Sequence, residues 1–408
     1  MLPLYTVLPF VAMLLAIAVC PLWAPHWWES NRNKMLVSCL LGLPILGLYV
    51  MREPKALLGM AEEYVSFIIL LAGLYVISGG ILMRGDLTAT PLTNTGFLAL
   101  GAALASFIGT TGASMLLIRP VLQTNRERTR VKHTVIFFIF LVSNIGGMLT
   151  PLGDPPLFLG YLQGVPFVWT FRLWLHWLFM TGVLLAAYFV WDTTQYTREP
   201  IAAIRRDRAE LEPLRVRGAL NALWLGGVIL AVAFLHEPAR EVAIVGLALA
   251  SLWRTPGGVR RANGFTYYPI VEVAVLFFGI FLTMIPALEL LRLRGGELAV
   301  REPWQFFWVA GALSSFLDNA PTYLTFLALG QGLGLAREVV GVPHAILTGI
   351  AVGAVSMGAN TYIGNAPNFM VKSIAEEAGI RMPSFFGYML YSGLVLIPLF
   401  IAVTFLFF

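Results

Sequence analysis

Apolar runs long enough to cross a bilayer recur along the whole chain, near residues 3–23, 35–51, 64–83, 133–163, 172–193, 219–236, 241–253, 269–291, 344–378 and 384–408. A crossing helix needs about 20 predominantly apolar residues, so this pattern settles the class of fold before any motif is read. Only 12% of the 408 residues are charged, about half the share in a soluble globular chain. The expectation is an all-α polytopic membrane protein of about ten crossings, integral to a bacterial-type inner (plasma) membrane. Disordered and collagen-like chains are excluded on the same grounds. The net charge of +5 marks cytoplasmic loops rather than a nucleic-acid partner. Cys20 and Cys39 both lie in apolar runs and make neither a disulfide framework nor a four-ligand metal site. No transition metal and no cofactor is expected.

Two further stretches, roughly 91–123 and 304–335, are apolar but broken in the middle by polar or glycine-rich residues. Each reads as two half-length helices joined by a turn, a re-entrant hairpin rather than a single span. The one long polar segment, 194–217, carries Arg198, Arg205, Arg206, Arg208, Arg215 and Arg217 with two prolines. It divides a first half, 1–193, from a second, 218–408. Arg84 and the run Arg126, Arg128, Arg130 and Lys132 bracket the first hairpin. Grouping these charges with a cytoplasmic linker places both termini outside, the first hairpin entering from the cytoplasm and the second from outside.

The halves match each other. Each holds three spans, a hairpin, an interrupted span and a final span. SFIGTTGASM at 106–115 aligns with SFLDNAPTYL at 315–324, GMLTPLGDPPLF at 147–158 with GANTYIGNAPNF at 358–369, and Thr181-Gly182 with Ser392-Gly393. An odd number of crossings before the linker inserts the halves upside down, the inverted-topology repeat of many secondary transporters.

Such repeats bind cargo near the midplane, where helices break and backbone groups become available. The first hairpin tip, Gly109-Thr110-Thr111-Gly112-Ala113-Ser114, combines glycines for a tight turn with hydroxyl oxygens. Its counterpart is Leu317-Asp318-Asn319-Ala320-Pro321-Thr322. The first interrupted span breaks at Asn144, Gly146, Gly147, Thr150, Gly153, Asp154, Pro155 and Pro156, the second at Gly358, Asn360, Thr361, Gly364, Asn365 and Pro367. Pro156 and Pro367 suit the first turn of a new half-helix. Broken ends expose carbonyls on one side and N–H groups on the other. Carbonyls with Thr, Ser and Asn oxygens suit a hard cation such as Na⁺, and N–H ends suit an anion.

Asp154 and Asp318 are the sharpest of these residues, because a carboxylate in the hydrocarbon region faces a cavity and does work. The plain alternative is a helix cap, above all for Asp154 just before Pro155. A carboxyl group withdrawn from water holds its proton and one beside a cation releases it, so H⁺ and Na⁺ compete for one group. His176, Glu62, Glu63, Glu272 and Lys372 are weaker candidates: an interface histidine, span-end acids and a snorkelling lysine. Trp23, Trp27, Trp28, Trp169 and Trp304 sit near span ends and read as an interfacial belt.

At these breaks the sequence resembles the ion transporter superfamily. That group holds divalent-anion/sodium symporters, arsenite permeases, citrate transporter-like proteins and NhaD-type sodium/proton antiporters. SSFLDNAPTYLTF at 314–326 is similar to the outward hairpin of the antiporter and arsenite-permease branch, and SNIGGMLTPLGDPP at 143–156 to its interrupted helix. The resemblance implies a scaffold that dimerises, hence a homodimer, and a transport domain that carries both hairpins and both interrupted helices in elevator-type movement. It also implies one cation site from Thr110, Thr111 and Ser114 with the loop 146–150. A pseudo-symmetric site would come from Asp318, Asn319 and Thr322 with Asn360, Thr361 and Asn365. The Gly-Thr-Thr-Gly tip departs from the family pattern in lacking an Asp-Asn pair.

Two acids and no Arg or Lys at the four breaks point to a secondary transporter exchanging Na⁺, or another monovalent cation, for protons. Na⁺ and H⁺ are then cargo or coupling ions, and the partners are the lipid bilayer and a small inorganic cation or carboxylate substrate. A transporter of citrate, dicarboxylate or arsenite-type anions is the alternative, with cations offsetting Asp154 and Asp318. From another class, two intramembrane aspartates could form an aspartyl-protease dyad sharing a proton. Pro151 stands where a Gly-x-Gly-Asp motif needs its first glycine, and an inverted repeat has no role in a protease.

Overall fold

The computed structural model describes residues 3–209, 211–335 and 338–408. Residues 1 and 2 of the first half, residue 210 of the linker and residues 336 and 337 of the second half therefore lie outside the described residues. In the first half, α1 (Leu8–Trp23), a short α2 (Pro25–Trp28), α3 (Asn31–Arg52) and α4 (Pro54–Ser78) lead to the pair α5 (Pro91–Ile108) and α6 (Thr110–Thr124). Next, α7 (Lys132–Leu141) stops, a 3-10 segment at Ile145–Met148 follows, and the chain resumes as α8 (Pro155–Leu162) before α9 (Trp174–Tyr196). Within the linker lies α10 (Ile201–Ala209). The second half runs α11 (Leu220–Phe234), α12 (Ala239–Arg254), a short α13 (Gly257–Ala262), α14 (Tyr268–Arg294), the pair α15 (Pro303–Ser314) and α16 (Asn319–Gly332), the interrupted pair α17 (His344–Met357) and α18 (Ala366–Glu377), and α19 (Phe385–Phe407). The order of long, paired, interrupted and final helices is the same on either side of the linker.

Local chemistry explains the boundaries. Pro54, Pro91, Pro155 and Pro303 each stand in the first turn of a helix, where a missing N–H costs nothing. The hydroxyls of Thr90 and Ser384 cap α5 and α19 by accepting the N–H groups of Thr93 and Gly387, both at 3.2 Å. Glu302 and Gln305 close a capping box at the start of α15. Gly109 alone turns α5 into α6, at a φ of +81° that residues with a side chain disfavour. The first hairpin leg differs from its expected half length. With 18 residues in α5, it is about 27 Å long at 1.5 Å per residue, close to the thickness of the hydrocarbon core. The legs α15 and α16, of 12 and 14 residues, are short.

Seven helical segments among the described residues are long and apolar enough to cross a membrane, and α7, α11 and α17 are shorter apolar helices. The surface is apolar where a soluble protein's is polar: Leu15 of α1, Leu223 of α11, and Leu390 and Leu394 of α19 all point outward. Polar groups such as Asn144, Asp154 and Thr361 are buried instead. This is an all-α polytopic membrane protein. Helices α1, α3, α4, α11, α12 and α14 pack as one group, and α5–α9 with α15–α19 as another. The groups meet where α14 lies on α16 and α4 on α6 and α8. Of the five tryptophans expected in a belt, Trp28 and Trp169 are buried, 5% and 4% exposed. Trp169 donates its ring N–H to His344 Nδ1 at 2.9 Å, because nearness to a span end does not say which way a side chain faces.

The linker is docked rather than loose. Strands β1 (Leu82–Arg84) and β2 (Arg215–Arg217) pair antiparallel, and Asp207 of α10 accepts the Ala89 N–H at 3.1 Å. Beside it, buried Asp192 of α9 accepts from Arg128 at 2.6 and 3.0 Å, His133 at 2.7 Å and Asn94 at 3.3 Å. Glu199 lies 3.7 Å from Arg128 Nε and accepts the N–H groups of Thr129 and Arg130 at 3.1 and 2.8 Å. Removing one partner of a buried charge pair costs about 3–5 kcal/mol. Asp192→Ala is therefore expected to lower the unfolding temperature of the detergent-purified protein sharply. Arg84→Ala, on the exposed end of β1, is expected to leave that temperature nearly unchanged.

Candidate functional site

Asp154 holds the N-cap position of α8, but its side chain makes no cap hydrogen bond. Its carboxylate, 1% exposed, is turned toward the other breaks. Oδ1 accepts from Thr110 Oγ1 at 2.9 Å and Asn365 Nδ2 at 3.1 Å, and Oδ2 accepts from Asn319 Nδ2 at 2.5 Å. One carboxylate thus ties together both hairpin tips and both interrupted helices. The pairing follows the internal match of the sequence: Thr110 and Asn319 are corresponding tip residues, and Asp154 and Asn365 corresponding break residues. Thr110 N–H also donates to the Gly153 carbonyl at 2.8 Å, and Asn365 Nδ2 to the Ser143 carbonyl at 3.1 Å.

Asp318 behaves differently. It is partly exposed and caps α16, its Oδ1 accepting the Ala320 N–H at 3.1 Å. The capping role considered for Asp154 thus falls to Asp318. Among the described residues no hydrogen bond joins the two carboxyl groups.

A second device holds each hairpin to its interrupted helix, and it occurs twice. Thr150 Oγ1 donates to the Ser106 carbonyl, and Thr361 Oγ1 to the Ser315 carbonyl. Ser106 Oγ donates to the Gly146 carbonyl at 2.5 Å, while Ser315 Oγ accepts from Asn360 Nδ2 at 2.9 Å. Two glycine pairs close the breaks: a Cβ on Gly153 would collide with the Gly147 carbonyl, and one on Gly364 would sit 2.5 Å from the Gly358 carbonyl. No residue larger than glycine fits those approaches.

The other candidates fall on either side of this core. Ser114 and Ser143 hydroxyls lie 2.9 Å apart, and Asn144 Nδ2 donates to the Ile139 carbonyl and to Asn368 Oδ1 at 2.8 and 2.7 Å. Thr322 bonds back to the Asp318 carbonyl at 2.9 Å and Thr111 is half-buried at the edge, so neither joins the Asp154 knot. His176 is packed against Phe407 and Phe408, Glu272 pairs with Lys34 at 2.5 Å, and Lys372 with Glu376 at 2.7 Å. Ser106, Ser143, Ser315 and Asn368 belong to the network although sequence reasoning does not single them out. The matched segments contain Ser106 and Ser315 in register. Ser143 and Asn368 correspond to Ala354 and Leu157, so the internal match carries no signal for them.

Three buried side-chain oxygens, Asn144 Oδ1, Asn319 Oδ1 and Asn360 Oδ1, have no hydrogen-bond partner among the described residues. Their amide orientations are set by the oxygens that Nδ2 faces in each case. An unpaired buried acceptor costs about 1–3 kcal/mol, and amide oxygens near a carboxylate are the ligands a hard cation takes.

A polar seam of this kind, enclosed by membrane-crossing helices and assembled at their breaks, belongs to the class of membrane transporters. The family described as "Putative citrate transport" matches residues 1–408, and the chain belongs to it. It is similar to an uncharacterised transporter of Mycobacterium bovis and to one of Mycobacterium tuberculosis, each 28% identical over 76% of this chain and 78% of the relative. If the glycine contacts hold the site together, Gly153→Ala and Gly364→Ala are expected to cost about 1–3 kcal/mol each by overpacking, read as earlier thermal unfolding. Gly393→Ala, inside α19 with open space where a Cβ would stand, serves as the comparison and is expected not to lower the unfolding temperature.

Proposed function

We propose that the protein is a secondary active transporter exchanging a monovalent cation, Na⁺ or Li⁺, for protons at the Asp154 knot. One observation carries this reading. The buried carboxylate is held by neutral donors alone, one of which, Asn319, has an unpaired amide oxygen among the described residues, and no Arg or Lys stands in any of the four break segments. A bound cation keeps Asp154 ionised and all three donors satisfied. A proton in its place turns one carboxyl oxygen into a donor, and Asn319 or Asn365 accepts it by rotating its amide to present Oδ1. The two ions thus exclude each other at one group. We read the halves as inverted copies, a reading supported by the paired Thr150–Ser106 and Thr361–Ser315 contacts. In this scheme α5–α9 with α15–α19 move against the other helix group as an elevator. The scaffold group pairs two copies in a homodimer, and the termini lie outside. Asp318 supports the tip as a cap, and its carboxylate serves the ion only secondarily.

A second reading is transport of a citrate-type carboxylate, favoured by the family's description and by the meeting of four half-helix N-termini, those of α6, α8, α16 and α18, near the knot. Each carries the positive end of a helix dipole, and a bound cation would offset Asp154.

The test is the purified protein in vesicles, with internal pH followed as Na⁺, Li⁺, K⁺ or citrate is added outside. Proton movement driven by Na⁺ or Li⁺ is expected, lost to background in Asp154→Asn. Asp318→Asn preserves the cap, since Asn caps as well as Asp, and is expected to keep most of the exchange. Uptake that responds to citrate alone would decide for the second reading, and full exchange in Asp154→Asn would remove the knot from the mechanism.

A further inference from the structure

At the end of the molecule that carries the linker, a cavity of about 1050 Å³ opens between the two halves. Its walls are the end of α6, the segment leading into α7, the end of α9, and the chain from α18 to α19. Charge on these walls is lopsided. Arg119, Arg126, Arg128, Arg130, Lys132 and Arg381 face Glu377, the single acid of the lining among the described residues. Several of the cations are already committed: Arg128 to Asp192, Arg126 to Glu127 at 2.9 Å, and Arg119 to the Asn263 carbonyl at 2.9 Å. Among the described residues the Arg130 side chain reaches only Gln195, at 3.4 Å, and it is exposed. Lys132 and Arg381 are exposed and form no ion pair or side-chain hydrogen bond among the described residues. Three cations from two halves of the chain are thus left facing one space.

The cavity also has an apolar flank. Trp191 of α9 and Tyr391 of α19 line it with their rings 6.1 Å apart. Next to them on the same two helices, Phe189, Val190, Leu390 and Leu394 are exposed, a strip that in a membrane lies against acyl chains. A basic cavity continuous with a membrane-facing apolar strip and divided from it by a Trp–Tyr pair matches one kind of occupant. We infer that this cavity binds the headgroup of an anionic phospholipid. Its phosphate pairs with Arg130, Lys132 and Arg381, and its acyl chains lie along α9 and α19. Such a lipid bridges the base of the first helix pair to the end of α18, away from the Asp154 knot. The site rests on the membrane-spanning fold and is independent of which ion or carboxylate is transported.

The experiment is native mass spectrometry of the full-length protein, delipidated in detergent and titrated with dioleoylphosphatidylglycerol, dioleoylphosphatidylcholine or inorganic pyrophosphate. Phosphatidylglycerol is expected to be retained and phosphatidylcholine is not. The variant Arg130→Ala/Lys132→Ala/Arg381→Ala should retain phosphatidylglycerol about a hundredfold more weakly, the combined worth of three basic contacts at a lipid surface. Should that variant fail to purify, Lys132→Gln/Arg381→Gln tests the same contacts with milder changes and should weaken retention about tenfold or more. Equal retention of the two lipids, or undiminished phosphatidylglycerol in the variants, would overturn the inference. Pyrophosphate bound as tightly as phosphatidylglycerol, and lost in the same variants, would overturn the lipid assignment in favour of a soluble polyanion.

Discussion

A carboxylate taken out of water must be given hydrogen-bond donors or lose its charge, and the centre of this protein is organised around that requirement. Asp154 draws its donors from three other segments: the tip of the first helix pair, the tip of the second, and the break in the second interrupted helix. Thr110, Asn319 and Asn365 reach it only if all four breaks converge within hydrogen-bond distance. The close glycine approaches at Gly147–Gly153 and Gly358–Gly364, and the threonine contacts from Thr150 and Thr361, are what permit that convergence. The halves are therefore held to each other at the place where each is least regular.

The same protein solves the buried-acid problem in a second way at the linker end. Asp192 is paired with Arg128 and bonded to His133, so its charge is matched by a fixed cation. Asp154 is held by a hydroxyl and two amides, which satisfy its oxygens but bring no cation to it. The difference is one of electrostatics. An acid matched by arginine has nothing to gain from an external ion, whereas an acid held by dipoles keeps its attraction for a mobile one. Charge scarcity in the chain thus resolves into two kinds of buried acid, one matched by a cation at the linker end and one held by neutral donors in the interior.

Much of this was legible without coordinates. Apolar run length and the scarcity of charge determined an all-helical membrane protein, because backbone groups in hydrocarbon must bond within their own helix. Prolines and glycines clustered with polar residues at matched positions located the four breaks, whereas the isolated Pro21, Pro44, Pro120, Pro286 and Pro398 sit inside continuous helices. The family matched over the full chain is consistent with that reading. Facing was less accessible: Trp28 and Trp169 are buried although their positions suit an interfacial belt, and α10 and the short sheet organise a linker whose composition shows only polarity.

What only the tertiary structure decided is the division of labour among the polar residues at the breaks. By composition Asp154 and Asp318 are equivalent, and the proline after Asp154 even favours it as the cap. In the fold Asp318 caps its own helix while Asp154 turns away from α8 to meet three neighbours. Ser143 and Asn368 join the network from positions with apolar counterparts in the other half. The physical reason is that a break in a helix is a local property, set by a few adjacent residues. The partners of a buried carboxylate come from segments up to 211 positions away, and only packing brings them within reach.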